Sequence, residues 1–238
     1  MNTKLIQGVL RIMLALVFSL SVAGISTQEA RARGYFVSNL NDSGSGSLRQ
    51  AITNANGYAG ADTITFAVSG TIMLGSLLPA ISDDLSIDGI GQNVTISGNH
   101  LYRVFTINTG KVVSLTALTI SNGYDNSVGG GGIFNQGGML TVTNCTFSGN
   151  TAGNYGGAIV NDTTGTLTVT GSTFTSNSAP NGGGIDNYDS TLTVTDSTFI
   201  NNSSDYGGAI VTTDSATVTD STFSGNSADY GGGVENYG

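Results

Sequence analysis

The chain has 238 residues and a formal net charge of −9, with seven basic residues against 16 acidic ones. Nothing basic follows Lys111, and phosphate binding needs lysine or arginine, so we exclude nucleic acid as a partner. A single cysteine, Cys145, excludes an internal disulfide. With only one histidine and one cysteine, the repeat half holds no Ser-His-Asp triad, and no zinc site has enough ligands.

Residues 1–32 have the pattern of a secretory signal peptide. Lys4 and Arg11 form a basic start, residues 12–25 are mostly apolar, and residues 30–32 read ARA, a small-x-small cleavage motif. Cleavage there would leave four basic and 15 acidic residues, a net charge of about −11. The pattern predicts a secreted or cell-surface protein, the outer membrane included. An uncleaved membrane anchor is the alternative, although the apolar run is shorter than the roughly 20 residues of a span.

Residues 33–60 are predicted to form one strand and one helix that caps the fold. The helix runs from Leu48 to about Asn56, with Ser47 as N-cap and Gln50 completing a capping box. Gly57 ends it. Its apolar face consists of Leu48, Ala51, Ile52 and Ala55. We expect this face to cover the open end of a solenoid, which otherwise exposes core and unpaired strand edges.

Residues 61–238 alternate apolar and polar side chains in short segments, which predicts one uninterrupted solenoid. From residue 129 onward three phrases recur: GG(A/G)(I/V), LTVT and FxxN. The phenylalanines are 27, 25 and 24 residues apart, at Phe147, Phe174, Phe199 and Phe223. Repetition at such a period is typical of a solenoid of seven or eight coils.

Each coil is predicted to contain three short strands separated by glycine, asparagine, aspartate and serine turns. One coil cannot bury its own inward side chains, so coils must stack in register, as a parallel β-helix. The glycine pairs suit corners. The FxxN asparagines are expected to form a ladder, as are Asn135, Asn161, Asn187 and Asn236, with Thr212 interrupting that series. A β-sandwich is the alternative fold.

The alternation of GGA(I/V) with FxxN resembles the repeats of polymorphic outer-membrane proteins and related bacterial right-handed β-helix surface proteins. Residues 47–52, SLRQAI, resemble the CSLREAI-type motif of bacterial surface β-helix proteins, with Gly46 and Gln50 replacing its Cys and Glu. The resemblance implies an all-β, right-handed parallel β-helix of the pectin-lyase-like kind with a short capping α-helix. It also implies a non-catalytic surface protein, adhesin-like or a passenger stalk. The resemblance further implies a structural role for Arg49.

An enzyme is the first alternative function, since pectin lyases, pectate lyases and polygalacturonases share this scaffold. A lyase would need a cleft that holds Arg103 or Lys111 beside acidic residues. His100 is interpreted as a solvated turn residue. We predict no catalytic residue and no cofactor.

Asp196 and Asp220 occupy the same place in successive coils, each preceding Ser-Thr-Phe. Stacked carboxylates roughly 5 Å apart could recruit Ca²⁺ or act as glycosidic acids. We interpret them as turn residues and keep them as weak calcium candidates.

Outward threonines of the LTVT strands are the candidate ligand face: Thr168, Thr170, Thr193, Thr195, Thr217 and Thr219, with Thr141 and Thr143 before them. Such rows resemble the ice-binding faces of β-solenoid antifreeze proteins, which makes ice binding the second alternative function. Tyr155, Tyr206 and Tyr230 form a partial stack that Asn181 interrupts, and packing is favoured over carbohydrate contact there.

The expected partner is a host-cell or extracellular glycan or protein surface. The chain stops in mid-repeat at Gly238, and we expect a truncated solenoid whose last coil self-associates through its exposed strand edge.

Overall fold

The structure is a computed structural model that describes residues 30–238. It contains one helix, α1 (Leu48–Asn56), and 23 strands. The first twelve strands are β1 (Gly34–Val37), β2 (Asp62–Phe66), β3 (Gly70–Met73), β4 (Leu85–Asp88), β5 (Val94–Ser97), β6 (Phe105–Ile107), β7 (Val112–Thr116), β8 (Leu118–Ser121), β9 (Tyr124–Asp125), β10 (Ile133–Gln136), β11 (Met139–Thr143) and β12 (Thr146–Ser148). The rest are β13 (Thr151–Ala152), β14 (Ile159–Asp162), β15 (Thr166–Thr170), β16 (Thr173–Thr175), β17 (Ile185–Asn187), β18 (Thr191–Thr195), β19 (Thr198–Ile200), β20 (Ile210–Thr212), β21 (Ala216–Thr219), β22 (Thr222–Ser224) and β23 (Val234–Asn236). The predicted signal peptide falls almost wholly outside the described residues.

The strands form three parallel sheets that run the length of the solenoid. Sheet A has the order β1-β2-β4-β7-β11-β15-β18-β21, sheet B β3-β5-β8-β12-β16-β19-β22, and sheet C β6-β10-β14-β17-β20-β23. A short pair, β9 and β13, lies beside them. Each later coil contributes one strand to each sheet, as the repeat predicted, and the eight strands of sheet A correspond to about eight turns.

Identical residues stack in columns inside the solenoid. The four FxxN phenylalanines lie parallel, with ring centroids 4.7, 4.7 and 5.0 Å apart along the column. Leu167 and Val169 of β15 face their own equivalents Leu192 and Val194 of β18. The prediction of in-register coils is therefore confirmed.

Two asparagine ladders run beside the apolar columns. Asn177 Nδ2 donates to Asn202 Oδ1 at 3.0 Å and to the carbonyl oxygen of Phe147 at 3.0 Å. In the second ladder Asn161 Nδ2 donates to Asn187 Oδ1 at 2.7 Å. Thr212 interrupts this ladder, as predicted: its hydroxyl accepts from Asn187 Nδ2 at 3.1 Å but donates to the carbonyl oxygen of Asp214 at 3.0 Å, and no hydrogen bond among the described residues joins it to Asn236.

Single residues with positive φ make the bend between sheets A and B. Ala117, Asn144, Gly171, Asp196 and Asp220 occupy this bend, with φ between 48° and 59°. The asparagine, aspartate and glycine types suit this conformation, which explains the recurring acids as turn residues. At the other corner a β-carbon on Gly157, Gly183 or Gly208 would collide with backbone of the next coil, so only glycine fits there.

The helix α1 packs against β1 and β2 through its predicted apolar face. Ser47 Oγ accepts the N–H of Gln50 at 3.2 Å, so the N-cap is confirmed. The prediction of a reciprocal capping-box hydrogen bond from the Gln50 side chain is wrong, since this side chain instead donates to Asn54 Oδ1 at 2.8 Å. Arg49 is structural: it pairs with Asp42 at 2.6 Å and donates to the carbonyl of Ser76.

Cys145 is buried and free, in the small-residue column that continues with Ser172, Ser197 and Ser221, as predicted. Over residues 30–238, no helix is both long and apolar enough to cross a membrane.

Candidate binding groove

A groove opens on the outer face of sheet C. In β10, β14 and β17 the isoleucine and the asparagine two positions later point into the core, so the residue between them points outward. Val160 and Asp186 hold this outward position in β14 and β17, and Val211 holds it in β20. All three are buried, Asp186 with only 4% of its surface exposed. Val160 and Asp186 form the floor of the groove.

Tyrosines and one aspartate form the walls. Tyr155 stands on one side with Ser127 and Val128, while Asp162 and Tyr188 stand on the other. Tyr155 is 47% exposed and Tyr188 55% exposed, so much of each ring faces solvent. The enclosed space is about 320 Å³. We call these residues, with Val160 and Asp186, the tyrosine groove.

Both walls continue toward the C-terminal coils. Register places Tyr155, Asn181, Tyr206 and Tyr230 in one column. The rings of Tyr206 and Tyr230 are stacked with centroids 5.1 Å apart. Tyr237 belongs to the opposite wall, and its ring meets that of Tyr206 at 6.2 Å in a tilted arrangement. The stacking of Tyr206 on Tyr230 agrees with the predicted packing of these rings, while all of these tyrosines lie on the outer surface and remain partly exposed.

Arg103 fixes the loop that closes the N-terminal end of the groove. Its guanidinium pairs with Asp125 at 2.7 Å, donates to the carbonyl oxygens of Gly129 and Gly130, and lies over the ring of Phe134. Burial acts to raise the pKa of Asp125, but N–H donors from Gly129 and Ser127 and the arginine charge outweigh it and lower that pKa. Ser127 and Val128, carried by this loop, are thereby held in the wall.

Asp186 is the electrostatically unusual residue of the groove. Burial, followed by the negative charge of Asp162, raises its pKa to about 7. None of the described residues donates a hydrogen bond to its carboxylate. The carboxylate is largely shielded from water and has no protein donor, while its oxygens keep access to the groove, so the Asp186 side chain is suited to receive a donor from a ligand.

The arrangement is therefore suited to binding a polar, partly flat ligand. Tyrosine rings supply apolar faces with a hydroxyl at the edge, and two carboxylates supply acceptors. Pockets with few polar groups among apolar walls bind small ligands through shape, with the polar groups setting orientation.

The earlier site candidates lie elsewhere. The outward threonines of sheet A are in register, Thr168 beside Thr193 and Thr170 beside Thr195, and they are partly exposed. A second row on sheet B was not foreseen: Thr71, Thr95, Thr119, Thr146, Thr173, Thr198 and Thr222. Asp196 and Asp220 are exposed at their bend, and over residues 30–238 no three acidic, histidine or cysteine side chains gather as a metal site.

No motif pointed to Asp162, Asp186 or Tyr188. One signal was available, namely that the outward position in the middle of these strands is apolar at Phe134, Val160 and Val211 but acidic at Asp186 and Glu235. An acidic residue next to apolar ones in such a row indicates a local change of role.

Comparison with known proteins agrees with this architecture. A family model described as a right handed beta helix region matches residues 86–238. The chain belongs to this right-handed β-helix family. Among solved structures, this β-helix is similar to Jun a 1, the major allergen from cedar pollen, with 14% identity, a TM-score of 0.41 and 79% of this chain covered. The match spans 65% of the allergen chain. No curated protein matches the sequence of this β-helix.

Proposed function

We propose that this β-helix is a non-catalytic, secreted or cell-surface recognition protein, adhesin-like, which holds a glycan in the tyrosine groove. The signal-peptide pattern and the acidic mature surface support a role outside the cell. The likeness of its SLRQAI, GGA(I/V) and FxxN phrases to bacterial surface proteins supports the adhesin-like role. Family membership alone implies neither catalysis nor its absence.

The observation that carries the proposal is a pair of half-exposed tyrosines that line one groove. Tyr155 and Tyr188 keep about half of their surface exposed on opposite walls of one groove. Sugar rings have apolar C–H faces that stack on aromatic rings, and hydroxyl edges that donate to carboxylates such as Asp162. Exposed aromatic groups beside acceptors therefore match a sugar better than a purely apolar ligand.

Catalysis by the basic residues has little geometric support. Arg103 is buried, ion-paired and committed to two carbonyl oxygens. Its pKa is lowered by burial and raised by Asp125, with a net shift downward. Lys111 lies 3.9 Å from Asp83, away from the groove. A proton-abstracting base would need to be free to reach a substrate.

Binding can be tested by titrating oligosaccharides into the purified protein and following tyrosine fluorescence and calorimetric heat. Tyr188→Ala and Tyr155→Ala should each weaken binding at least tenfold, because each removes one stacking wall. Tyr58→Ala removes an exposed tyrosine at the N-terminal end and should leave affinity unchanged. The proposal would be contradicted if binding were lost in Tyr58→Ala but kept in Tyr155→Ala and Tyr188→Ala. New reducing ends or unsaturated products would assign the enzymatic alternative instead.

Ice binding is a second candidate, favoured by the two threonine rows of sheet A. Thr141, Thr168, Thr193 and Thr217 lie in register on consecutive strands, which gives a repeat of roughly 4.8 Å along the solenoid. Thermal hysteresis that is lost in Thr193→Tyr but kept in Tyr188→Ala would support this function. Its absence from the wild-type protein would remove it.

A further inference from the structure

We propose that the tyrosine groove selects a cationic amino sugar, whose ammonium group lies between the carboxylates of Asp186 and Asp162. This inference rests on the proposed glycan-binding function and adds the charge class of the ligand. It assigns Asp186 and Asp162 as the residues that determine specificity.

The first reason is the state of Asp186. The residue has only 4% of its surface exposed, lines the groove, and receives no side-chain hydrogen bond from the described residues. A buried acceptor of this kind is stabilised by a charged donor more than by a neutral one. An ammonium group has three N–H donors and can satisfy both oxygens of this carboxylate or bridge to a second one.

The second reason is the position of Asp162. Val160 is the direct partner of Asp186 in the neighbouring coil, and Asp162 lies two residues further along the same outward face. Strand spacing and rise place the α-carbons of such diagonal neighbours roughly 8 Å apart. The side chains therefore leave room for one ammonium group between them. Asp162 Oδ1 accepts the N–H of Thr163, while no hydrogen bond from the described residues occupies Oδ2.

The third reason is the absence of a competing cation. The titratable groups that face Asp186 across the groove are Asp162 and the phenols of Tyr155 and Tyr188, and no basic side chain is among the described residues that line it. Arg103, at the N-terminal end, is neutralised by Asp125. Repulsion between like charges therefore disfavours binding of a uronic-acid polymer. A neutral sugar would bring no positive charge to balance the carboxylates of Asp186 and Asp162.

Binding of a cation should also move a proton. Since the pKa of Asp186 is about 7 in the free protein, its carboxyl group is mostly protonated at pH 6. An ammonium ligand favours the ionised form, so the proton leaves for the buffer while the ligand keeps its own charge. We expect nearly one proton to be released for each ligand bound at pH 6.

The test compares three β-1,4-linked oligosaccharides of equal length that differ in charge: glucosamine, glucose and glucuronate oligomers. Calorimetry at pH 6 in two buffers of different ionisation enthalpy gives affinity and proton release together. The glucosamine oligomer should bind at least tenfold more tightly than the glucose oligomer, and the glucuronate oligomer should bind least. Asp186→Asn should abolish both the preference for glucosamine and the proton release.

Asp220→Asn is the matched control, because it removes the same charge at an exposed bend where Asn144 already occupies the equivalent place. It should retain the preference and the proton release. Equal binding of glucose and glucosamine oligomers by the wild-type protein would overturn the charge selectivity and leave glycan binding standing. No binding of any oligomer would overturn glycan binding itself. Unchanged selectivity in Asp186→Asn, with its melting curve intact, would overturn the assignment of Asp186.

Discussion

The ring of Phe174 lies parallel to that of Phe199, with centroids 4.7 Å apart and an interplanar angle of 8°. Phe174→Ala should lower the free energy of unfolding by about 3–5 kcal/mol, because it leaves a cavity in the middle of a stacked column. Phe223→Ala should cost clearly less, since Phe223 lies in the last coils and is only partly buried. Urea denaturation of both variants measures the difference. Equal losses would contradict the column as the source of stability.

The asparagine ladder is expected to be as important as the apolar columns. Asn177 is fully buried, donates to Phe147 O and Asn202 Oδ1, and accepts from Asn150. Asn177→Ala should destabilise the fold by about 3 kcal/mol or more, because each abandoned buried partner costs about 1–3 kcal/mol. Asn226→Ala, in the partly exposed last rung, serves as the control and should lose less stability in the same thermal melts. A neutral Asn177→Ala would refute a ladder role in stability.

Cys145 should be chemically inert in the folded protein. Burial raises the pKa of its thiol to about 11, although backbone hydrogen bonds lower it in part. Since the thiolate is the reactive form, alkylation at pH 8 should be at least a hundredfold slower in the native state than in denaturant. Cys145→Ser should fold normally, because serine fills this column in later coils. Rapid labelling of the native protein would contradict the inward placement.

The pair formed by Arg103 and Asp125 should make the groove loop sensitive to acid. The pKa of Asp125 is lowered in the folded state, so its contribution to stability is present above the unfolded pKa near 4 and is lost as the pH falls through the lower folded value. Protection factors for hydrogen exchange at residues 125–130, which correct for the intrinsic pH dependence, should therefore fall below about pH 4. In the Asp125→Asn variant, the amides of this loop should exchange quickly even at pH 6. A loop that remains protected in this variant would contradict the role of the pair.

The contribution of Asp186 to stability should depend on pH in the opposite direction to that of Asp125. Its folded pKa is raised from 3.8 to about 7, so the folded protein binds more protons between these values and stability should fall as the pH rises through this window. A shift of about three pH units corresponds to about 4 kcal/mol at most. Asp186→Asn should remove this slope and stabilise the protein at pH 8. Melting curves from pH 4 to 8 measure it, with Asp220→Asn as the control, which should keep the wild-type slope.

Several features of the fold were predictable because the repeat is local. A phenylalanine every 24–27 residues, with asparagine three positions later, requires coils in register, since only identical neighbours can bury these side chains. Likewise the α1 cap was predictable from its N-cap serine and its apolar spacing. The interruption of the second ladder at Thr212 was predictable too, because a hydroxyl has no amide group to donate to the next coil, and that of Thr212 donates to Asp214 in its own turn.

The amino-acid sequence alone determined the class of this protein: a parallel β-helix with inward columns and outward threonines. Only the tertiary structure decided where a ligand could bind. Asp162 and Asp186 are 24 residues apart and share no motif, and the register of β14 with β17 makes them diagonal neighbours. The groove around Asp186 also takes Tyr155 from the preceding coil and residues of a loop held by Arg103. Such proximity is a property of stacked coils, because the path of the chain at each corner determines which side chains meet.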